Sequence, residues 1–296
     1  MRVLVTGAGG YLGRAVVAAL NTAGHTPIAM VHTPGDPISG ATETRIADLL
    51  DVHTLARTVD GMDAVCHLAG LTRARESLTD PLRYFRVNTS GTITLLEAMA
   101  EAGVPRLVFA STASIYAPSE GEPLTEDAPD APPHPYAASK LAAEHVIEAQ
   151  ARTGALAATI LRVFNLTGGS GADPTGLTPR TLAATAASPL QINGSGTAIR
   201  DYLHVSDAAD AFAAAISVPQ ITGVVDRYNI GSGTGTSLLD IVAMVERVTG
   251  RPVPRTHKPP VPEPAALVSA PGKASANLSW SPTRSNLESI IRDAPR

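Results

Sequence analysis

Apolar residues gather in strand-length runs at 2 to 6, 27 to 32, 63 to 68, 106 to 110 and 158 to 164. Between and after them, helix-like segments lie at 11 to 22, 89 to 102, 137 to 152, 206 to 217 and 237 to 249, where Ala and Leu dominate and Pro is absent. A parallel crossover needs a connection of helix length, so this alternation predicts an α/β fold: a doubly wound, Rossmann-like parallel sheet with helices on both faces.

Two stretches break the rhythm. Residues 117 to 135 and 252 to 264 are rich in Pro, which removes an amide donor and clashes with a preceding helical turn, so each is expected to be a surface loop. From about 165 the chain turns to Gly, Thr and Pro around 167 to 179. The reading is a dinucleotide-binding domain over 1–165, to which the chain returns around 200–230, and a smaller C-terminal substrate lobe over 166–296. That lobe is expected to cover the carboxyl ends of the strands, where open parallel sheets bind ligands.

Composition narrows the partners. The 296 residues are 44% hydrophobic and 17% charged, with a net charge of −4 and neither sign gathered into a long block. Nucleic acid is an unsuited partner for such a surface. No apolar run reaches spanning length, so no membrane insertion is expected, and Met1 leads straight into a strand with no apolar leader. The lone Cys66 stands in an apolar run and reads as a buried thiol, which suits a reducing cytoplasm. No His, Cys and carboxylate cluster has the spacing of a metal site.

The chemistry begins at Thr6-Gly7-Ala8-Gly9-Gly10-Tyr11-Leu12-Gly13, between the first strand and the first helix. Glycines at 7, 10 and 13 give GxxGxxG, a turn whose backbone N–H groups face a pyrophosphate at a helix N-terminus. The GxGxxG alternative fails at Leu12. At the end of the second strand, where a carboxylate would grip the ribose hydroxyls of NAD, the chain reads Val31-His32-Thr33, with Asp36 beyond and Arg14 and Arg45 as candidate cations. The missing carboxylate tilts the NAD(P) expectation slightly toward NADP. Further on, Tyr136 and Lys140 are four residues apart at a helix start, so phenol and ammonium share one face. An ammonium and a positive nicotinamide beside it would lower the phenol's pKa and fit it for proton exchange with a substrate oxygen.

These segments together resemble the extended short-chain dehydrogenases/reductases, in particular the NAD-dependent epimerase/dehydratase family typified by UDP-glucose 4-epimerase. The resemblance runs nearly the whole length. It takes in the glycine turn, Val65 to Gly70, Asn88 with Gly91-Thr92, Phe109 to Tyr116, Tyr136/Lys140, Leu161 to Asn165, Arg200 to Asp207 and Tyr228 to Gly233. It implies Thr112 as the hydroxyl partner of Tyr136, and Lys140 on the nicotinamide ribose. It implies cofactor contacts from Gly7, Gly10, Tyr11, Leu12, Gly13, His32, Asp48, Leu49, Leu68, Ala69, Gly70 and Asn88, with His67 near the channel but neither catalytic nor a metal ligand. Asn165, Arg200 and, with them, Arg180 would face the substrate, and a homodimer through helices 89 to 102 and 137 to 152 is the family expectation.

Two departures shape the function. Ala113-Ser114 follow Thr112 where the family's 4,6-dehydratases carry Asp-Glu, so dehydration is not expected. Pro259-Pro260-Val261-Pro262-Glu263 stands where the family usually has a phosphate-holding Arg-Arg-x-Gly-Asp. The leading expectation is therefore an NAD(P)-dependent oxidoreductase acting as a nucleotide-sugar 4-epimerase. The alternatives are an NADPH-dependent ketoreductase acting on a keto-deoxysugar or natural-product ketone, and a non-catalytic dinucleotide-sensing protein.

Overall fold

The computed structural model describes residues 1–118, 121–169, 171, 176–261 and 263–294; parts of the loops read at 117 to 135, 167 to 179 and 252 to 264 lie outside the described residues. In chain order the strands are β1 (Arg2–Thr6), β2 (Thr26–Val31), β3 (Glu43–Ile46), β4 (Ala64–His67), β5 (Arg106–Thr112), β6 (Ala157–Val163), β7 (Asn165–Thr167), β8 (Leu190–Asn193), β9 (Ile199–His204), β10 (Val225–Ile230), β11 (Gly235–Ser237), β12 (Arg255–Lys258) and β13 (Ala266–Leu267). The α-helices are α1 (Tyr11–Thr22), α2 (Val52–Val59), α3 (Ala74–Ser77), α4 (Pro81–Tyr84), α5 (Gly91–Glu101), α6 (Pro135–Ala151), α7 (Leu177–Leu182), α8 (Val205–Ser217), α9 (Leu238–Thr249), α10 (Gly272–Leu278) and α11 (Leu287–Asp293).

Seven strands form one parallel sheet in the order β10-β6-β5-β4-β1-β2-β3. Its interior strands β2, β1, β4, β5 and β6 are buried on both faces, which is why they read as continuous apolar runs. In β1, Val3 and Val5 point into the core shared with α1 and α8, while Leu4 points into the core shared with α2, α5 and α6. Each such fully buried side chain stabilises the fold by about 1.5–3 kcal/mol. The chain order reverses between β1 and β4, and the carboxyl ends of these two strands open the crevice that such a switch point creates.

After β6 the chain builds a second layer and then re-enters the first. β9 pairs with β11, β13 and β7, β8 pairs with β12, and α9 and α11 pack on a core of their own around Ile192, Ile241, Val245 and Ile291. Between them, α8 and β10 return to the large sheet. The fully buried Asp201 ties β9 to two loops, accepting from Ser232 N at 2.7 Å, Gly233 N at 3.0 Å and Ser269 N at 3.1 Å.

Several elements depart from the sequence expectation. The stretch 252 to 264, read as loop, contains β12, an exposed edge strand whose four residues pair with β8 and take the register Arg255↔Leu190 to Lys258↔Asn193. β3 and α2 were not expected as separate elements. β3 is an edge strand without an apolar run, and α2 starts from Asp51, whose carboxylate accepts from His53 N and Thr54 N as an N-cap. The helix read at 89 begins earlier, as a π-helical turn over Phe85–Ser90 that runs into α5.

Candidate active site

The glycine turn closes on backbone. Gly7 sits at φ +70°, and a Cβ there would meet Ala69 N at 2.8 Å; a Cβ on Gly13 would meet Gly7 O at 2.1 Å. Gly9 has only the Val31 side chain nearby, at 3.6 Å, so the spacing 7, 10, 13 rather than 7, 9, 12 is the one the geometry demands. The first turn of α1 has neither a side-chain cap nor an acidic residue. Its N–H groups and dipole thus face the crevice, and the turn fits the pyrophosphate of a dinucleotide.

Across the switch point, Thr6 Oγ1 accepts from Leu68 N and Ala69 N, both at 3.1 Å, and lies 2.8 Å from His67 Nδ1. The other ring nitrogen of His67 is 3.0 Å from Thr92 Oγ1. Burial, with Lys140 nearby, takes the His67 pKa down to about 3, so its ring is a neutral strut under the strand ends. Asn88 is a second bracket: its amide oxygen accepts from Leu71 N at 2.7 Å and its amide nitrogen donates to Ser139 Oγ at 2.9 Å, joining the turn after Gly70 to α6.

One cavity of about 690 Å³ joins this turn to the other candidate residues. Gly7, Gly10, Tyr11, Leu12, Gly13 and His32 line one end, with Leu68, Ala69 and Gly70 along its side. Thr112, Tyr136, Lys140 and Asn165 line the rest. The sequence reading missed the further lining residues Thr72, Phe164 and Leu267. Phe164 directly follows a strand end and so had a signal, whereas Leu267 comes from β13 and had none.

Tyr136 and Lys140 do share a face of α6, yet their electrostatics differ from expectation. Lys140 Nζ donates to Ala110 O at 3.0 Å and stands 4.6 Å from the Phe109 ring centroid. Burial pulls its pKa down to about 8, and Glu144, one helical turn on, works against that. The Tyr136 phenol is raised, not lowered: burial pushes it up, a hydrogen bond with Thr112 draws it back and Tyr84 adds to the rise. The expected lowering relied on charges at the phenol, whereas here the ammonium is turned to the β5 carbonyl.

Beneath these groups lies a charge cluster that no sequence signal located. Arg162 of β6, 1% exposed, donates to both carboxylate oxygens of Glu144 and, at 2.7 and 3.2 Å, to Asp130. Glu144 is fully buried and also accepts from Ser111 Oγ, the neighbour of Thr112. Burial opposes the Arg162 charge, and its two carboxylate partners more than reverse that, so its pKa lies above the ordinary arginine value.

Other candidates lie off the cavity. Asp48 accepts from Leu50 N at 2.9 Å and stands 3.9 Å from His32, and Leu49 is buried against Gly91. Arg45 is engaged with Glu43 and with the Thr58 carbonyl, whereas Arg14 lies at the turn, donating to Gly9 O at 3.1 Å. Exposed Arg180 donates to Gln191 O at 3.3 Å. Arg200 is held by Glu263 at 2.6 Å and by the carbonyls of Ile199 and Pro264. Among the described residues, no group of His, Cys, Asp and Glu is arranged to hold a metal, and no helix is long and apolar enough to cross a membrane.

The family model described as "NAD dependent epimerase/dehydratase family" matches residues 3–231. The chain belongs to that family. The UDP-glucose 4-epimerase of Azospirillum brasilense is 36% identical over 318 residues, covering 99% of this chain and 90% of the relative. Among solved structures, MoeE5 in complex with UDP-glucuronic acid and NAD superposes with a TM-score of 0.91 at 31% identity, covering 99% and 97% of the two chains. UDP-glucose 4-epimerase from Brucella ovis in complex with NAD gives 0.90 at 32% identity with the same coverage. Both solved structures contain NAD.

Proposed function

We propose that this family member is a nucleotide-sugar 4-epimerase that uses Tyr136 as acid/base, with Lys140 and Thr112 as its supports. The carrying observation is that all three line one end of a single cavity whose other end is the glycine turn. A bound nicotinamide would supply the hydride acceptor and donor. Tyr136 then takes the proton from a sugar hydroxyl as that carbon becomes a ketone, and returns it when the alcohol is restored. Thr112 positions the oxygen, and Lys140, charged below about pH 8, favours phenolate once substrate and dinucleotide are in place. Asn165 and Arg200, with Arg180, are assigned to the sugar nucleotide. The reading includes a dinucleotide lobe over 1–165 and a substrate lobe over 166–296, and a cytoplasmic homodimer; exposed Leu78, Leu82, Phe85 and Ile93 around α4 and α5 support the pairing.

Dehydration is excluded from the proposal because no carboxylate lines the cavity among the described residues and Ala113-Ser114 follow Thr112. A second reading, an NADPH-dependent ketoreductase, draws on the second lobe, where Glu263 holds Arg200 and Pro259-Pro260 occupy the place of a phosphate clamp. The intact Tyr136, Lys140 and Thr112 set weighs against a purely dinucleotide-sensing role. On cofactor, the solved relatives contain NAD. In this chain Arg14 and His32, with no carboxylate at position 32, leave room for a 2′-phosphate, so NADP(H) is included in the proposal.

The deciding experiment incubates the protein with UDP-glucose, with UDP-glucuronic acid and with a nucleotide 4-keto-sugar, each with and without added NADPH. The expected result is a 4-epimer formed with the dinucleotide unchanged over many turnovers. Steady loss of reduced-nicotinamide absorbance on a keto-sugar would establish the reductase instead, and a 4-keto-6-deoxy product would overturn the exclusion of dehydration.

A further inference from the structure

The catalytic helix starts from an unusual residue. Pro132-Pro133-His134-Pro135-Tyr136 leads into α6 with Pro135 at the first helical position, and the residue before a proline is pushed into extended conformation, as an N-cap requires. His134 has φ −152° and ψ 160°, and its Nδ1 accepts from Ala137 N at 3.1 Å. The preferred caps are Ser, Thr, Asp and Asn, whose oxygens accept at neutral pH. An imidazole nitrogen accepts only while it carries no proton. The cap therefore fixes the neutral tautomer with its proton on Nε2.

The same ring also packs on the phenol. The rings of His134 and Tyr136 are stacked, with centroids 5.8 Å apart and planes 16° from parallel, while Tyr84 meets Tyr136 edge-on at 6.4 Å and 74°. We propose that His134 is a positioning residue for Tyr136, capping and clamping the start of α6 only while its imidazole is neutral, so that the reaction carries an acid limb set by this residue. The inference rests on the reading of Tyr136 as the acid/base.

Protonation has three physical costs. It places a second N–H against the Ala137 N–H, it puts a positive charge at the positive end of the helix dipole, and it does so in a half-buried place. Burial accordingly lowers the His134 pKa below its ordinary value. The sign follows: the cap is complete above the unfolded histidine's pKa and is lost as pH falls through the folded one. The titratable and charged groups on the elements packed against α6 are Tyr84 and Arg83 of α4, Arg75 and Glu76 of α3, exposed Arg86 of the π-helical turn, Glu97 and Glu101 of α5, Arg106 of β5 and Arg162 of β6. Glu76 and Arg83 act on Tyr84, Arg162 is engaged by Asp130 and Glu144, and α6 itself contributes Tyr136, Lys140, Glu144, His145 and Glu148.

The test compares full-length wild type, H134A and H134N on the substrate that wild type turns over, following kcat and KM from about pH 5 to about pH 8. H134A removes cap and stack, and is expected to lower kcat by about three- to tenfold near neutrality and by less toward pH 5, where the wild-type cap is itself lost, with a smaller change in KM. H134N rescues kcat near neutrality and flattens the acid limb, so that the wild-type to H134N ratio falls about threefold or more toward pH 5. Superimposable acid limbs for wild type and H134N would overturn the proposal, as would H134A matching wild type. An NMR titration supplies an arm independent of turnover: the Ala137 amide and the Tyr136 ring should shift with protonation of the His134 imidazole. If wild type turns over no candidate, the reading of the site fails; if those signals ignore the imidazole, the His134 inference fails.

Discussion

The two ends of the site are built on different principles. At the dinucleotide end, backbone does the work: Gly7 and Gly13 are forced by close approaches of main chain, and Thr6 and His67 brace the strand ends from beneath. In the second lobe, the side chains proposed for substrate recognition are long, charged and already engaged within the fold. Arg200 is engaged by Glu263 and two carbonyls, and Arg180 leans on Gln191 O. A backbone cradle presents its donors before any ligand arrives, whereas on the proposed reading Arg200 would have to exchange partners, at a cost in binding energy.

The largest test of this contrast separates the cradle from the reacting groups. Tyr136→Phe is expected to lower turnover by about two to four orders of magnitude, the usual size for a positioned acid/base, while dinucleotide binding by calorimetry stays intact because the cradle is remote from the phenol. Near-wild-type turnover in that variant would break the assignment. Next in size is Arg200→Ala. If the diphosphate recruits this guanidinium away from Glu263, KM for the sugar nucleotide rises about tenfold or more, the scale of a hydrogen bond to a charged group, with kcat less affected. An unchanged KM would show that the second lobe reads its substrate without Arg200 and would favour the ketoreductase.

The smallest effect belongs to the adenosine ribose. NADP(H) is expected to bind at least as tightly as NAD(H), measured by titration of the dinucleotide-free protein. A tenfold preference for NAD, about 1.4 kcal/mol, would reject the inference from position 32 and direct attention to Asp48, which stands 3.9 Å from His32.

Legibility from sequence follows the same division. The interior strands and the long helices were readable because burial on both faces leaves continuous apolar runs, and β1, α1, β5 and α8 lie within a few residues of expectation. The glycine register was readable because its cause is steric and local. Edge elements were not: β3 is mostly exposed and carries two charged residues in four, and all four residues of β12 are exposed within a Pro-rich stretch, so pairing with a neighbour overrides their own weak preference. The partners of side chains were least legible. Arg200 was assigned by resemblance, but the Glu263 carboxylate that holds it lies 63 residues away. Helical spacing gives the face that Tyr136 and Lys140 share, but not that the Lys140 ammonium bonds the Ala110 carbonyl.

The buried pair of Arg162 and Glu144 has a consequence for how this protein can change over generations. Deleting either partner leaves the other's buried charge with one remaining partner, Asp130 for Arg162 and Arg227 for Glu144, and breaking such a pair costs up to about 3–5 kcal/mol, much of a typical domain's stability. A joint replacement by apolar residues of similar volume would be far cheaper. Neither position can therefore drift first without an unstable intermediate, and Ser111 and Asp130, which bond to the same pair, share the constraint. The floor under the active site is in this sense a ratchet: the surface loops and the second lobe can be reshaped for a new substrate one residue at a time, whereas this quartet can be revised only in concert.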